Sequence, residues 1–225
     1  MKKKIRIEKV STWSTVIAFF LTFVFLGIAV WSWGEFNTIK TATEQYITCE
    51  DATKQMQEGS DYLTEQVRLY TMTGEKQYMD NYFKEKETGK KREASLESIK
   101  KEFGETEMYY VIQAAYKNSE ELMNIEYKAM RLVVENTGLS REAWPQEIQD
   151  IKLSYTESDL SATGKMRTAQ LLVSNNSYQA AKERITNKCQ ECKSLLADTT
   201  RNVQGKSIRI SKEIVKKLEG CMAVL

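Results

Sequence analysis

The first apolar feature of the chain is an uncharged run at residues 13–33, which reads WSTVIAFFLTFVFLGIAVWSW. At about 1.5 Å per residue, a helix over this run spans roughly 31 Å, the thickness of a bilayer core. Trp13 lies at one edge and Trp31 and Trp33 lie at the other, where amphipathic rings favour the membrane interface. The pattern predicts a transmembrane helix at 13–33 with these three tryptophans as membrane-interface residues.

A basic cluster precedes this run and predicts its orientation: Lys2, Lys3, Lys4, Arg6 and Lys9. Positive residues favour the cytoplasmic side, so we expect a cytoplasmic tail at 1–12 and an extracytoplasmic remainder of a single-pass protein of the cell membrane. A cleaved signal peptide is the alternative. Its apolar region usually has only about 7–15 residues, and the bulky residues 30–34 offer no small-x-small cleavage site. We therefore expect an uncleaved anchor.

Beyond Gly34 the apolar residues follow alternating steps of three and four. The seam of helix one comprises Ile39, Ala42, Tyr46, Cys49, Thr53, Met56, Ser60, Leu63, Val67 and Tyr70. Such a heptad pattern is typical of helices packed nearly parallel. Gly74 closes this helix, since glycine is the usual residue just after a helix end.

Three further long helices follow, at about 75–103, 105–135 and 177–221. Between the last two lies an irregular segment, 139–176, in which Pro145 intervenes and Ser161 caps a short helix. Helix one and the last helix each rise by about 60–66 Å, and the middle two each by about 45 Å. The sequence therefore predicts an all-α protein whose membrane helix continues into an up-down-up-down four-helix bundle with a short distal insert.

The predicted domain order is a tail at 1–12, a membrane helix at 13–33, an extracytoplasmic bundle at 34–221 and an apolar beginning at 222–225. Two interpretations of the last residues stay open. They begin a second membrane segment of a longer receptor, or the chain is a complete single-pass protein.

Composition excludes several kinds of site. The chain has no histidine, one proline and ten glycines, so it reads as long helices without histidine-based metal sites or general bases. Lys, Arg, Asp and Glu are mixed along the chain, whereas a nucleic-acid binder needs a concentrated basic face. No phosphate loop, nucleophile–base pair or metal triad is visible. We therefore expect no enzyme activity, no metal or other cofactor and no nucleic-acid partner.

Three segments carry a family resemblance. RLYTMTGEKQYMDNYF at 68–83 has an Arg-x-Tyr, a Thr-Gly turn and a Tyr-x-x-Tyr, and KETGKKREASLESI at 86–99 and the segment 161–185 follow in the same order. They resemble the extracytoplasmic four-helix-bundle and CHASE-type sensor domains of bacterial chemotaxis receptors, sensor histidine kinases and GGDEF diguanylate cyclases, over most of 35–221. The resemblance implies external sensing and movement of the first and last helices. No HAMP, methyl-accepting, kinase or GGDEF segment is present.

Charged residues interrupt the apolar faces of the middle helices. Glu85 and Arg92 stand at heptad steps from Tyr78 and Ile99, and Glu126 lies likewise on helix three. Because buried charges must pair or bind something, these positions predict an internal pocket for a carboxylate or an amine. A structural ion pair, or a surface position caused by heptad drift, is the alternative.

Aromatic residues surround the tip of the first hairpin, and Arg68 flanks the seam beside it. They are candidates for lining a pocket between helices, although packing of the turn explains them as well. The predicted ligand-binding residues are Arg68, Tyr70, Tyr78, Tyr82, Glu85 and Arg92.

The cysteines give a weaker prediction. Cys189 and Cys192 have metal-ligand spacing, but no further ligands are apparent. If Trp33 and Cys221 lie at one level, Cys49 is roughly 24 Å above them and the other two are roughly 44–48 Å above. A disulfide needs Cα atoms within about 7 Å. We therefore expect no pairing of Cys49 with either, and small buried core residues at all three positions.

Two functional hypotheses follow. The first is a sensor domain of a transmembrane signalling protein, anchored in the lipid bilayer, dimeric with a second copy, and responsive to a small molecule or an extracytoplasmic protein. The second is a membrane-tethered structural or protein-interaction bundle, which would show no small-molecule response.

Overall fold

The computed structural model describes residues 7–224, and the side chains of 7–10, 218 and 221–224 are outside the description. The basic cluster of the tail and the apolar residues 222–225 therefore lie outside the described side chains. The chain divides into two compact units. One comprises the described residues up to Glu44 together with those from Thr199 onward, and the other is Gln45–Asp198.

The described residues are mostly helical, with no strand among them, which confirms the all-α prediction. The helices are α1 (Ile7–Thr73), α2 (Lys76–Lys84), α3 (Lys91–Phe103), α4 (Glu107–Val134), α5 (Gln146–Asp150), α6 (Tyr155–Ser158), α7 (Ala162–Leu172) and α8 (Asn176–Val224). A π-helical turn (Glu85–Gly89) joins α2 to α3, and a 3₁₀ turn (Arg141–Ala143) precedes α5. The apolar run and the first bundle helix are thus one continuous helix, as predicted.

Gly74 directly follows α1, as predicted, Gly104 directly follows α3, and Gly138 lies four residues beyond the end of α4. Gly74, Gly104 and Gly138 have φ values of 72°, 63° and 71°. This left-handed conformation is inexpensive for glycine, which lacks a Cβ atom. Ser161 caps α7 by accepting a hydrogen bond from the Gly164 N–H at 3.2 Å, also as predicted.

One helix prediction is wrong. The helix expected over 75–103 is interrupted by the π turn and by Lys90, whose φ of 50° lies in the left-handed region. The Glu85 carboxylate accepts a hydrogen bond from the Lys91 N–H at 3.1 Å. The Glu85 side chain thus accepts from a backbone N–H at the start of α3. Two shorter helices, α2 and α3, form in place of the single predicted one.

The core of the second unit follows the predicted seams of α1 and α8. All predicted seam residues of α1 from Cys49 to Tyr70 are buried, including the polar Thr53 and Ser60. Tyr46 is the exception, because its side chain is 36% exposed. The heptad spacing of the last helix likewise predicts a seam that includes Tyr178, Ile185, Cys189, Cys192 and Leu196, and all five are buried.

The first unit contains the apolar stretch of α1. Within the described residues, one helix, α1, is long and apolar enough to cross a membrane by length and composition. Its apolar side chains are mostly exposed, including Trp13 and Trp33, while Trp31 is half-buried. An exposed apolar surface of this length is the kind that lipid covers.

The predicted separation of Cys49 from Cys192 is wrong. Within the second unit, the sulfur atoms of these residues lie 3.4 Å apart. Within the first unit, the Ser207 hydroxyl donates to the Glu35 carboxylate. The prediction assumed that Cys221 lies opposite Trp33, but Ser207 occupies that level, so α8 is displaced along its axis by about four turns. All three predicted core cysteines are nevertheless buried.

This register predicts a specific oxidation product. In a Cys221→Ser background, diamide is expected to join Cys49 to Cys192, with loss of two protons and two electrons to the oxidant. Donation from Cys192 lowers the pKa of the Cys49 thiol, whereas burial raises the pKa of Cys189 to about 11, so Cys49 supplies the attacking thiolate. Peptide mass mapping checks the link.

The control for this experiment is Cys49→Ser, which removes the expected link. A Cys189–Cys192 disulfide as the main product would contradict the register. Both residues are on α8, so that product would require no approach of α1.

Candidate functional site

A buried carboxylate joins four helices of the second unit, α1, α2, α4 and α8. Glu126 of α4 is 1% exposed. It accepts hydrogen bonds from the Tyr82 hydroxyl of α2 at 2.6 Å and the Tyr178 hydroxyl of α8 at 2.5 Å. The Thr64 hydroxyl of α1 lies 3.4 Å from the same carboxylate. We call these four residues the Glu126 cluster.

The charge of Glu126 is costly in this position. Burial raises the pKa of its carboxyl group, while the donated hydrogen bonds and the positive charge of Arg92 partly lower it. Burial and the nearby carboxylate also raise the pKa values of Tyr82 and Tyr178, so both tyrosines stay protonated and donate. The cluster is therefore a satisfied polar network whose protonation is tied to folding.

A cleft opens beside this cluster, between α4 and the segment that joins α2 to α3. Its volume is about 640 Å³, which is within the range of small-molecule sites. The lining side chains are Lys86, Lys90, Arg92, Glu93, Tyr116, Lys117, Glu120, Glu121, Met123, Asn124 and Tyr127. The cleft therefore offers charges of both signs and two aromatic rings.

Arg92 is the most deeply buried charge of the cleft, at 3% exposed. Its Nη1 donates to the Ser119 hydroxyl at 2.9 Å and to the Met123 sulfur at 3.0 Å, and its guanidinium lies 5.7 Å from the centre of the Tyr116 ring. Its ion pair with Glu93 is long, at 3.5 Å. A thioether is a weak acceptor, so this guanidinium has less compensation than a buried cation normally receives.

The Glu93 carboxylate, next to Arg92, is also incompletely hydrogen-bonded. Its Oε1 accepts from the Tyr116 hydroxyl at 3.2 Å and lies near Arg92. Its Oε2 is buried and has no hydrogen-bond partner among the described residues. An unpaired buried acceptor costs about 1–3 kcal/mol, so this oxygen lacks the compensation that a buried acceptor normally receives.

The rim of the cleft has an irregular backbone. Lys86 belongs to the π turn and Lys90 is the left-handed residue that follows it. Lys86 pairs with Glu147, and its ammonium group lies 5.6 Å from the Phe83 ring centre and 5.8 Å from that of Tyr127. π-helical turns and residues in the left-handed conformation both occur often at functional sites.

Close packing of α3 on α1 holds Arg92 in place. A Cβ atom at Gly59 of α1 would lie 2.9 Å from Arg92 Cγ and 3.1 Å from Lys91 Cβ. One turn further along α3, the Ser95 hydroxyl donates to the Ala52 carbonyl of α1 at 2.6 Å. Glycine at position 59 is thus what allows the two helices to approach here.

The structure separates the six predicted ligand-binding residues. Arg92 lines the cleft and Tyr82 belongs to the Glu126 cluster. Arg68 donates to the Val173 carbonyl at 3.0 Å and lies over the Tyr178 ring, away from the cleft lining.

The other three have structural positions. The Tyr70 ring is fully buried, and burial raises its pKa to about 12. Tyr78 is half-buried against the core. Glu85 folds over the π turn, so the prediction that it points between the helices is wrong.

Sequence reasoning missed Glu93, Tyr116 and Tyr127, and it placed Tyr178 on the seam of the last helix without assigning it to a site. A signal for part of the cleft was present, because Tyr116, Ser119, Met123 and Tyr127 recur on α4 at steps of three and four and so share one face. Tyr127 also connects the cleft to the cluster, since its ring contacts that of Tyr82 edge-on with centres 6.0 Å apart.

Among the described residues, no group of three or more cysteine and acidic side chains is arranged to hold a metal ion. The sequence matches no protein-family model, and neither curated proteins nor solved structures give a match. The resemblance to bacterial sensor domains therefore stays a prediction.

Proposed function

We propose that this chain is a membrane-anchored sensor module of a transmembrane signalling protein, and that the cleft receives its small-molecule ligand. The observation that carries the proposal is the Glu126 cluster. One buried carboxylate bonds to side chains of α1, α2 and α8, and it lies next to two residues that belong to the cleft lining, Arg92 and Tyr127.

The cluster gives a physical route for a response. A ligand that binds one arrangement of α2, α3 and α4 better than another shifts the population of that arrangement. Because Tyr82 and Tyr178 donate to the same carboxylate, a change in the position of α4 alters the hydrogen bonds of α8 as well as those of α2. In the proposed module, α1 and α8 carry this change toward the membrane.

The proposed orientation and assembly follow from the sequence. The tail at 1–12 lies in the cytoplasm and the bundle lies outside, as the positive residues before the apolar run favour. The module acts as a homodimer. Tyr46 and Ile47 of α1 support this, because they are 36% and 53% exposed in the second unit and would be covered by a second copy.

The test uses the full chain in lipid nanodiscs and a panel of organic acids, amines and amino acids. A ligand of the folded state raises the midpoint of thermal unfolding by mass action. We expect at least one compound to raise it, and to change the rate at which diamide links Cys49 to Cys192. The second readout reports on α1 and α8, at a distance from the cleft.

The competing function, a membrane-tethered spacer or scaffold, gives the opposite result. If no compound shifts the unfolding midpoint, or if a shift occurs with no change in the linking rate, the sensor proposal fails. A Leu195→Ala variant that unfolds at lower temperature serves as the control that the midpoint responds to stability.

A further inference from the structure

We propose that the cleft recognises a small zwitterion whose carboxylate and ammonium groups are on the same or neighbouring carbon atoms. This inference rests on the proposed sensor function and names the ligand class of the same cleft. The carboxylate binds Arg92 and the ammonium group binds Glu93 Oε2.

Arg92 provides the anion-binding half. A guanidinium has five N–H donors, and Arg92 Nη1 already uses its donors on Ser119 and on a weak sulfur acceptor. Among the described residues, Nη2 has only the 3.5 Å contact with Glu93. A ligand carboxylate would replace this long contact with charge-assisted hydrogen bonds, which are the strong kind.

Glu93 provides the cation-binding half. The buried Oε2 atom needs a donor, and the described residues supply none. Oε1 is already held by the Tyr116 hydroxyl, so the carboxylate is oriented before the ligand arrives. An ammonium group has three donors and no acceptor, which fits an unpaired carboxylate oxygen.

The spacing of the two protein groups selects the ligand. Arg92 Nη2 and Glu93 Oε1 are 3.5 Å apart, so the ligand groups that face them must also be close neighbours. A simple carboxylate would leave Glu93 Oε2 unpaired, and a simple amine would be repelled by the deeply buried guanidinium. Groups that lack a partner in a buried site cost affinity.

The remaining lining suits a compact body between the two charges. The rings of Tyr116 and Tyr127 offer apolar surface, and charges of both signs at the rim leave no strong preference for a ligand with a net charge. This balance favours an overall neutral zwitterion over a dicarboxylate or a diamine.

The experiment titrates the full chain in nanodiscs with the twenty L-α-amino acids, each followed by calorimetry. For any amino acid that binds, the matched amine without the carboxylate and the matched acid without the ammonium group are titrated next. We expect one or more amino acids to bind and both matched compounds to bind at least about tenfold more weakly, since a hydrogen bond to a charged group is worth that factor or more.

Two variants assign the groups. Glu93→Gln keeps an acceptor for Tyr116 on a side chain that is 34% exposed, so it is expected to fold and to weaken amino-acid binding about tenfold. Glu97→Gln is the matched control on the exposed face of α3, and it is expected to bind as the unaltered chain does. Arg92→Gln is expected to lose the group that binds the ligand carboxylate. For this variant, the matched amine and the amino acid should therefore bind equally.

The outcomes separate this inference from the sensor proposal. If an acid or an amine binds as well as the amino acid, or if Glu93→Gln leaves binding unchanged, the zwitterion inference is overturned. A response to that compound would still support the sensor proposal. If no compound of the wider panel shifts the unfolding midpoint, both fail.

Discussion

Replacing Glu126 with alanine is expected to lower the free energy of unfolding by about 3 kcal/mol. The Tyr82 hydroxyl, on a fully buried side chain, loses its acceptor, and the Tyr178 hydroxyl loses its charged acceptor and keeps the Thr64 hydroxyl at 3.1 Å. Each buried group without a partner costs about 1–3 kcal/mol, and release of the desolvated carboxylate offsets part of the sum. Urea unfolding of the full chain in detergent, followed by circular dichroism, measures the change.

Glu126→Gln separates the hydrogen bonds from the charge. The amide oxygen still accepts, so the expected loss is smaller, about 1 kcal/mol. The folded state holds the Glu126 proton above the ordinary pKa of 4.5, where the unfolded chain has released it. Stability of the unaltered chain relative to this variant is therefore greatest near or below pH 4.5 and falls as the pH rises through the raised pKa.

Glu121→Ala on the exposed face of α4 is the matched control and should change stability by no more than about 0.5 kcal/mol. An equal loss in Glu121→Ala and Glu126→Ala would contradict the Glu126 cluster. If the stability of the unaltered chain relative to Glu126→Gln rises with pH, the raised pKa of Glu126 is contradicted.

Gly59→Val is expected to destabilise the chain by about 2 kcal/mol, because extra carbon atoms in a tightly packed contact force neighbouring side chains or backbone to move. The new Cβ would lie 2.9 Å from Arg92 Cγ, in the middle of that side chain rather than at its flexible end. The same urea measurement checks the result. Displacement of α3 also moves Arg92, so this variant should weaken the binding of any ligand in the cleft.

Gly205→Val on α8 is the control for the helical preference of the substitution. A Cβ at Gly205 meets no atom within 4 Å, so valine there should be neutral or slightly stabilising, because glycine is the poorer helix former. If the two variants have equal stability, the close approach of α1 and α3 at Gly59 is wrong.

The sequence predicted the structural features that depend on one helix face or on one residue. The seam of α1 from Cys49 to Tyr70 follows from heptad spacing, and the end of that helix follows from Gly74. The inward positions of Arg92 and Glu126 follow from the same steps of seven, because burial of a helical residue depends mainly on its face.

Contacts between distant segments were not predictable in this way. The contact of Cys49 with Cys192 depends on the axial position of α8 against α1, and counting residues from an assumed common level misplaced it. The partners of Glu126 come from positions 64, 82 and 178, and their meeting depends on the height and rotation of separate helices at once. The π turn depends on a local competition for the donors of residues 90 and 91, which residue types alone do not resolve.

The irregular rim of the cleft has a consequence for local stability. The turn Glu85–Gly89 has no fully buried side chain, and Lys90 adopts a conformation that costs an L-residue about 1 kcal/mol. Segments with little burial and local strain open at a lower free energy than the helices around them. Backbone amides of this turn should therefore exchange their hydrogens with solvent through local openings, long before α4 does so by unfolding. One wall of the cleft then fluctuates while the opposite wall stays rigid, and the barrier to entry of the proposed ligand is set by a single turn of chain.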